Sequence, residues 1–117
     1  MTLLPPNTRV HLAVGYTDMR KGIDGLSMLV QEALGQDPFS GHLFVFHGRA
    51  ANLLKIICWD GTGFCLFTKR LEQGAFLWPS NANPGGAVAM TSQQLASLID
   101  GIDWRAPEQR WRPAVAG

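Results

Sequence analysis

The order of apolar and polar positions predicts an opening strand, a helix, a run of further strands and a second helix. Arg9-Val10-His11-Leu12-Ala13-Val14 alternates as a strand does, and Gly15 ends it. Thr17 or Asp18 is then placed to cap a helix, since a short side-chain oxygen satisfies free N–H groups of the first turn. Ile23, Leu26, Leu29, Val30, Ala33 and Leu34 recur at helical spacing, so the helix is expected to run to Leu34, with Gly35 as its left-handed stop. Gly22 and Gly25 weaken its first half.

Asp37-Pro38-Phe39-Ser40-Gly41 reads as a turn. Three strands are expected next, over 42–47, 53–60 and 64–71. Gly61-Thr62 suits a two-residue hairpin connection with glycine first, which sets Cys58 opposite Cys65. Leu54, Ile56, Cys58, Cys65, Phe67 and Lys69 then share one hairpin face. Leu53, Lys55, Ile57, Trp59, Phe64, Leu66, Thr68 and Arg70 share the other. The first face is the better core candidate, because its one charge lies at the open end.

Phe76-Leu77-Trp78 suggests a further short strand, followed by a loop over 79–86. Thr91 and Gln94 have capping-box spacing at the head of a second helix. Leu95, Leu98, Ile99 and Ile102 would form its buried stripe. The sum is an α+β class: a small single domain over 1–105, an antiparallel strand meander packed with two helices. A basic, Pro-containing tail occupies 106–117.

Composition narrows this picture. A chain of 117 residues, 46% hydrophobic and 16% charged, can fill one core. Its net charge of +1 supplies no global field toward nucleic acid, so any such binding depends on local clustering of its ten Lys and Arg. Membrane crossing is not expected, for want of a long apolar run. The Met-Thr-Leu-Leu-Pro-Pro start has no basic region or apolar stretch of a secretion signal, and two cysteines without one fit a reducing cytosol.

Several stretches together resemble a known family. Thr17-Asp18-Met19-Arg20-Lys21-Gly22 with Asp24-Gly25-Leu26, Pro38-Phe39-Ser40-Gly41, Leu43-Phe44-Val45-Phe46 and Gly48-Arg49 occur in its order. Lys55-Ile56, Trp59-Asp60-Gly61-Thr62-Gly63-Phe64, Lys69-Arg70-Leu71-Glu72, Trp78-Pro79 and Gly101-Ile102-Asp103-Trp104-Arg105 follow. This pattern is similar to the TnpB-type accessory protein in the sixty-six family of bacterial insertion sequences, which is unrelated to the RNA-guided nuclease of the same label. It departs from the family at Tyr16, at Cys58 and Cys65, and in the small, glycine-rich stretch 82–89. The resemblance implies a cytoplasmic accessory role in transposition and DNA recombination. It also implies an element-encoded transposase as partner, with a second accessory protein alongside, and no catalytic activity.

The residues themselves offer no reaction centre. Asp18, Asp24 and Asp60 could be nominated for a two-metal nuclease, but helix capping and a hairpin turn account for Asp18 and Asp60. Cys58, Cys65 and His47 lack the close pairs of a zinc site, and His42 and His47 fall on opposite faces of one strand. Neither a nucleophile elbow nor a phosphate loop occurs. No cofactor or metal is therefore expected.

Contact surfaces remain. Arg20, Lys21, Arg49, Lys55, Lys69, Arg70 and Arg105 are the candidate phosphate contacts, with Trp59 and Phe64 as rings able to stack on bases. Equally, Trp and Arg are enriched at protein hot spots. Trp111, beyond the last helix, is the better candidate for docking on a transposase, whereas Trp78 and Trp104 more simply close the core. DNA contact and protein-only docking both stand at this point.

Overall fold

The structure, a computed structural model, describes residues 8–79 and 86–105. The expected tail, and Trp111 with it, lies outside these residues. Seven elements follow in chain order: β1 (Val10–Ala13), α1 (Ile23–Glu32), β2 (Leu43–His47), β3 (Leu53–Trp59), β4 (Phe64–Arg70), β5 (Ala87–Met90) and α2 (Ser92–Ile99).

The strands form one mixed sheet in the order β4-β3-β2-β1-β5, which corrects the expected antiparallel meander. β1 and β2 are parallel, with Val10 opposite Leu43, and α1 lies in the crossover between them. Parallel neighbours need such a crossover, because no short turn can join them. β5 returns antiparallel against β1 and is a strand the sequence reading did not anticipate. Phe76-Leu77-Trp78 is not a strand. It is a strap, tied by Phe76 N–H to the Ala51 carbonyl at 2.8 Å and by the Trp78 indole N–H to the Ala13 carbonyl at 3.0 Å.

Hairpin β3–β4 has the expected register, with Cys58 opposite Cys65 and Trp59 opposite Phe64. Gly61 takes φ +104°, which glycine adopts without strain. The Asp60 carboxylate fastens the turn by accepting from the N–H groups of Thr62 and Gly63, each at 2.9 Å.

Each face of the sheet is covered by a helix. Leu12, Val45, Leu54, Ile56 and Cys58 pack with Leu95, Leu98 and Ile99 of α2. The alternate residues Ala13, Phe44, Phe46 and Ile57 pack with Leu26 and Val30 of α1. Thus the hairpin face judged the better core is buried as expected, while the other is also covered rather than open. Every residue of β2 is buried, as befits a central strand with both faces covered.

Both helices are shorter than expected. α1 starts at Ile23 with Gly22 as an N-cap that makes no side-chain bond. Gly35 stands past its end at φ +64°, as expected. α2 has its full capping box, with Gln94 N–H to Thr91 Oγ1 at 3.0 Å and Thr91 N–H to Gln94 Oε1 at 2.9 Å. It stops at Ile99, so Ile102 lies beyond the helix and is only half-buried.

Candidate functional site

Because β1 and β2 run parallel, their carboxyl ends lie together at Ala13 and His47, and a loop follows each. Open sheets leave crevices at such places. One loop, 14–22, is stitched to the end of β2 by the Thr17 N–H and the His47 carbonyl at 2.8 Å. Asp18 does not cap α1. Its carboxylate accepts from the Arg20 backbone N–H at 3.0 Å and grips the Arg20 guanidinium through both oxygens, at 3.0 and 2.8 Å. These bonds hold the Asp18 carboxyl well below the usual carboxylate range.

Gly48, first in the loop after β2, is where the two loops touch. A Cβ there would lie 2.6 Å from Met19 Cγ, so the sulfur-bearing chain of Met19 occupies the space a larger residue would need. Above this contact Tyr16 is 64% exposed. The Arg49 guanidinium sits over its ring, 5.2 Å from the centroid. His47 lies 5.4 Å from Tyr16, tilted, and stacks in turn on Trp78 at 3.9 Å. Burial pushes the His47 pKa down to about 4. A cleft of about 490 Å³ opens here, walled by Tyr16, Thr17, Asp18 and Met19 on one side and by Gly48, Arg49, Ala50 and Leu53 on the other.

Most of the nominated cations gather around this end of the sheet. Lys55 Nζ donates to the Lys21 carbonyl at 2.9 Å, which brings the start of β3 against the loop before α1. Arg70 pairs opposite Leu53, one of the cleft's wall residues. Lys69 points to the other face of the sheet, 3.9 Å from the Asp100 carboxylate. Arg105 is paired with Asp103 at 3.1 Å and exposed. Arg20, Lys69 and Arg105 thus each stand beside a carboxylate of the chain.

Trp59 is elsewhere. It stands at the turn end of the hairpin with Phe64 and the exposed Phe39, the ring centroids each 5.1 Å apart. Ile57 and Leu66, between Trp59 and Lys55 along the hairpin, lie under α1. Trp59 and Phe64 thus stand apart from Lys55 and Arg70 on that hairpin face.

The profile of the family described as IS66 Orf2 like protein matches residues 8–109. The chain belongs to this family. It is 53% identical over 111 residues, 95% of each chain, to the uncharacterized protein y4hO of Sinorhizobium fredii. It is 40% identical to a second uncharacterized protein of that organism, y4jC, covering 82% of this chain and 80% of the other. No solved structure matches. IS66 Orf2-like membership connects the chain with insertion-sequence transposition in an accessory capacity.

Within the residues matched to IS66 Orf2, Thr17, Asp18 and Met19 of the Thr17–Gly22 stretch wall the cleft, and Gly48-Arg49 is the facing wall. Asp18 and Arg20, two residues apart in it, are joined to each other. Sequence reasoning missed Tyr16 because a lone tyrosine after a glycine carries no periodic signal. Among the described residues, no group of three or more His, Cys, Asp or Glu is arranged to hold a metal, and no helix is long and apolar enough to cross a membrane.

Proposed function

We propose that this chain is a non-catalytic accessory factor that helps assemble the transposase–DNA complex, meeting DNA phosphates with the basic end of its sheet. The observation that carries this reading is the convergence of Lys21, Arg49, Lys55 and Arg70 on one end of a protein whose net charge is only +1. The one acid on the cleft wall, Asp18, is already engaged by Arg20. Each phosphate neutralised by Lys or Arg releases condensed counterions, so local clustering supplies affinity that the overall charge does not.

Binding of the element's terminal repeat and of an unrelated duplex, titrated with salt, tests the proposal. Log affinity should fall linearly with log salt, and each of Arg49→Ala and Arg70→Ala should reduce the slope by about 1. Salt-independent binding, or slopes unchanged in both variants, would overturn it. Adding the transposase to the same titration reports on assembly.

A second reading, a protein-only adaptor docking on the transposase without touching DNA, is favoured by the hairpin's other end. Phe39 is 57% exposed there beside Trp59 and Phe64. Co-purification with transposase that is lost in Phe39→Ala or Trp59→Ala, in a protein that binds no DNA, would select this reading.

A further inference from the structure

We infer that the shelf formed by Tyr16 and Arg49 is a binding site for an unpaired nucleotide, its base entering the adjoining cleft and its phosphates remaining outside on Arg49 and Lys21. This deepens, and rests on, the reading that the basic end of the sheet meets DNA.

The first support is the exposure of a ring that has firm backing. Tyr16 leaves 64% of its surface to solvent. Behind it His47 is 6% exposed and stacked on Trp78, whose indole is hydrogen-bonded to Ala13. A large ring held open on a rigid support loses little freedom when a second ring joins it, which is what favourable stacking requires. The second support is Arg49, whose guanidinium carbon stands over Tyr16, 5.2 Å from the ring centroid. A guanidinium so placed neutralises a phosphate beside a stacked base.

The cleft decides which part of the nucleotide goes where. At about 490 Å³ it falls in the size range of small-molecule pockets and has room for a base with its sugar. Met19, Ala50 and Leu53 give it apolar surface, and the Asp18 carboxylate on its wall is already held by Arg20. A phosphate inside would lose water against that apolar wall, which costs far more for a charge than for a neutral base. The base therefore takes the cleft and the phosphates stay at its mouth. The base must be unpaired, because in a duplex both of its faces are covered by neighbours.

The test uses the whole protein with three fluorescent DNA probes: a blunt duplex, the same duplex carrying a short single-stranded overhang, and a single strand. The overhang duplex should bind more tightly than the blunt one. Tyr16→Ala should weaken overhang and single-strand binding by roughly 5- to 100-fold, the scale of losing one stacked base, and leave blunt-duplex binding unchanged. Tyr16→Phe, which keeps the ring, should retain the preference. Equal affinity for blunt and overhang duplexes, or a preference that survives Tyr16→Ala, would overturn the inference while leaving the phosphate-contact reading intact. Failure of all three probes to bind would overturn both.

Discussion

Gly48→Ala offers a severe test of how the loop carrying the family motif is held. The added Cβ would lie 2.6 Å from Met19 Cγ and 3.4 Å from the Thr17 carbonyl oxygen. Ordinary contact between carbons is near 3.5–4.0 Å, so Met19 must retreat by about 1 Å. Met19 is flexible, but Thr17, two residues earlier, is tied to His47 by a 2.8 Å hydrogen bond. Motion is therefore passed into the 14–22 loop rather than absorbed. Overpacking of this kind typically costs about 1–3 kcal/mol. At roughly 4–8 °C per kcal/mol for a small domain, the melting temperature should fall by several degrees or more. The control is the double variant Gly48→Ala with Met19→Ala, in which the new methyl enters the vacated space. Thermal and urea unfolding of the parent, both single variants and the double variant give the coupling between them. The double variant should be about as stable as Met19→Ala alone. Strictly additive losses, or a Gly48→Ala protein within about 0.5 kcal/mol of the parent, would refute the close approach.

Other expectations follow from the same geometry. Thr91→Ala removes the hydroxyl that accepts from the Gln94 backbone N–H and leaves that first-turn donor without its partner, so it should cost about 1 kcal/mol in urea unfolding; an unchanged midpoint would mean the cap is idle. His47 has a folded pKa of about 4 against 6.5 unfolded, so the unfolded chain takes up the proton first. Stability tied to His47 is therefore complete above about pH 6.5 and is lost toward pH 4, by at most about 1.4 kcal/mol per pH unit. His47→Phe should flatten that slope in part, since His11, lowered by burial and then by His42, contributes in the same direction. Equal slopes in parent and variant would count against the assignment. Cys58 is raised by burial foremost, and Cys65 by its hydrogen bond to Asp60, so both stay as thiols at neutral pH. Alkylation of the native protein should accelerate only at alkaline pH, and rapid labelling of either thiol at pH 7 would contradict this.

What the sequence made legible was whatever is decided locally. A two-residue connection fixes a hairpin register by itself, and Gly61-Thr62 did so correctly for seven opposed pairs. Thr91 and Gln94 satisfy each other within one helical turn, and Gly35 stops α1 through its own backbone freedom. The partner of β1 was not legible, because alternation along one strand says nothing about which strand lies beside it or in which direction. β5 was missed for a different reason. Ala87-Val88-Ala89-Met90 has one β-branched residue, and its strand form comes from four backbone pairings with β1 rather than from intrinsic preference. Phe76 and Trp78 misled in the opposite sense, since their rings enter the core from a strap. The start of α1 moved because Asp18 found a partner nearer than the helix, in Arg20.

The same distinction governs the candidate surfaces. Alternation correctly set Lys55, Trp59, Phe64 and Arg70 on one face of the hairpin, yet a shared face is not a shared surface. α1 crosses that face over Ile57 and Leu66 and divides it. Leu53 and Trp59 are six residues apart on β3, or about 20 Å at strand rise, so the cations and the rings stand at opposite ends. The two ends are therefore separable by substitution. Substitutions at Arg49 or Arg70 should leave whatever docks at Phe39 and Trp59 undisturbed, and the converse should hold. Coupled losses, in which Trp59→Ala weakens DNA binding as much as Arg70→Ala does, would mean that the two ends belong to one continuous site after all.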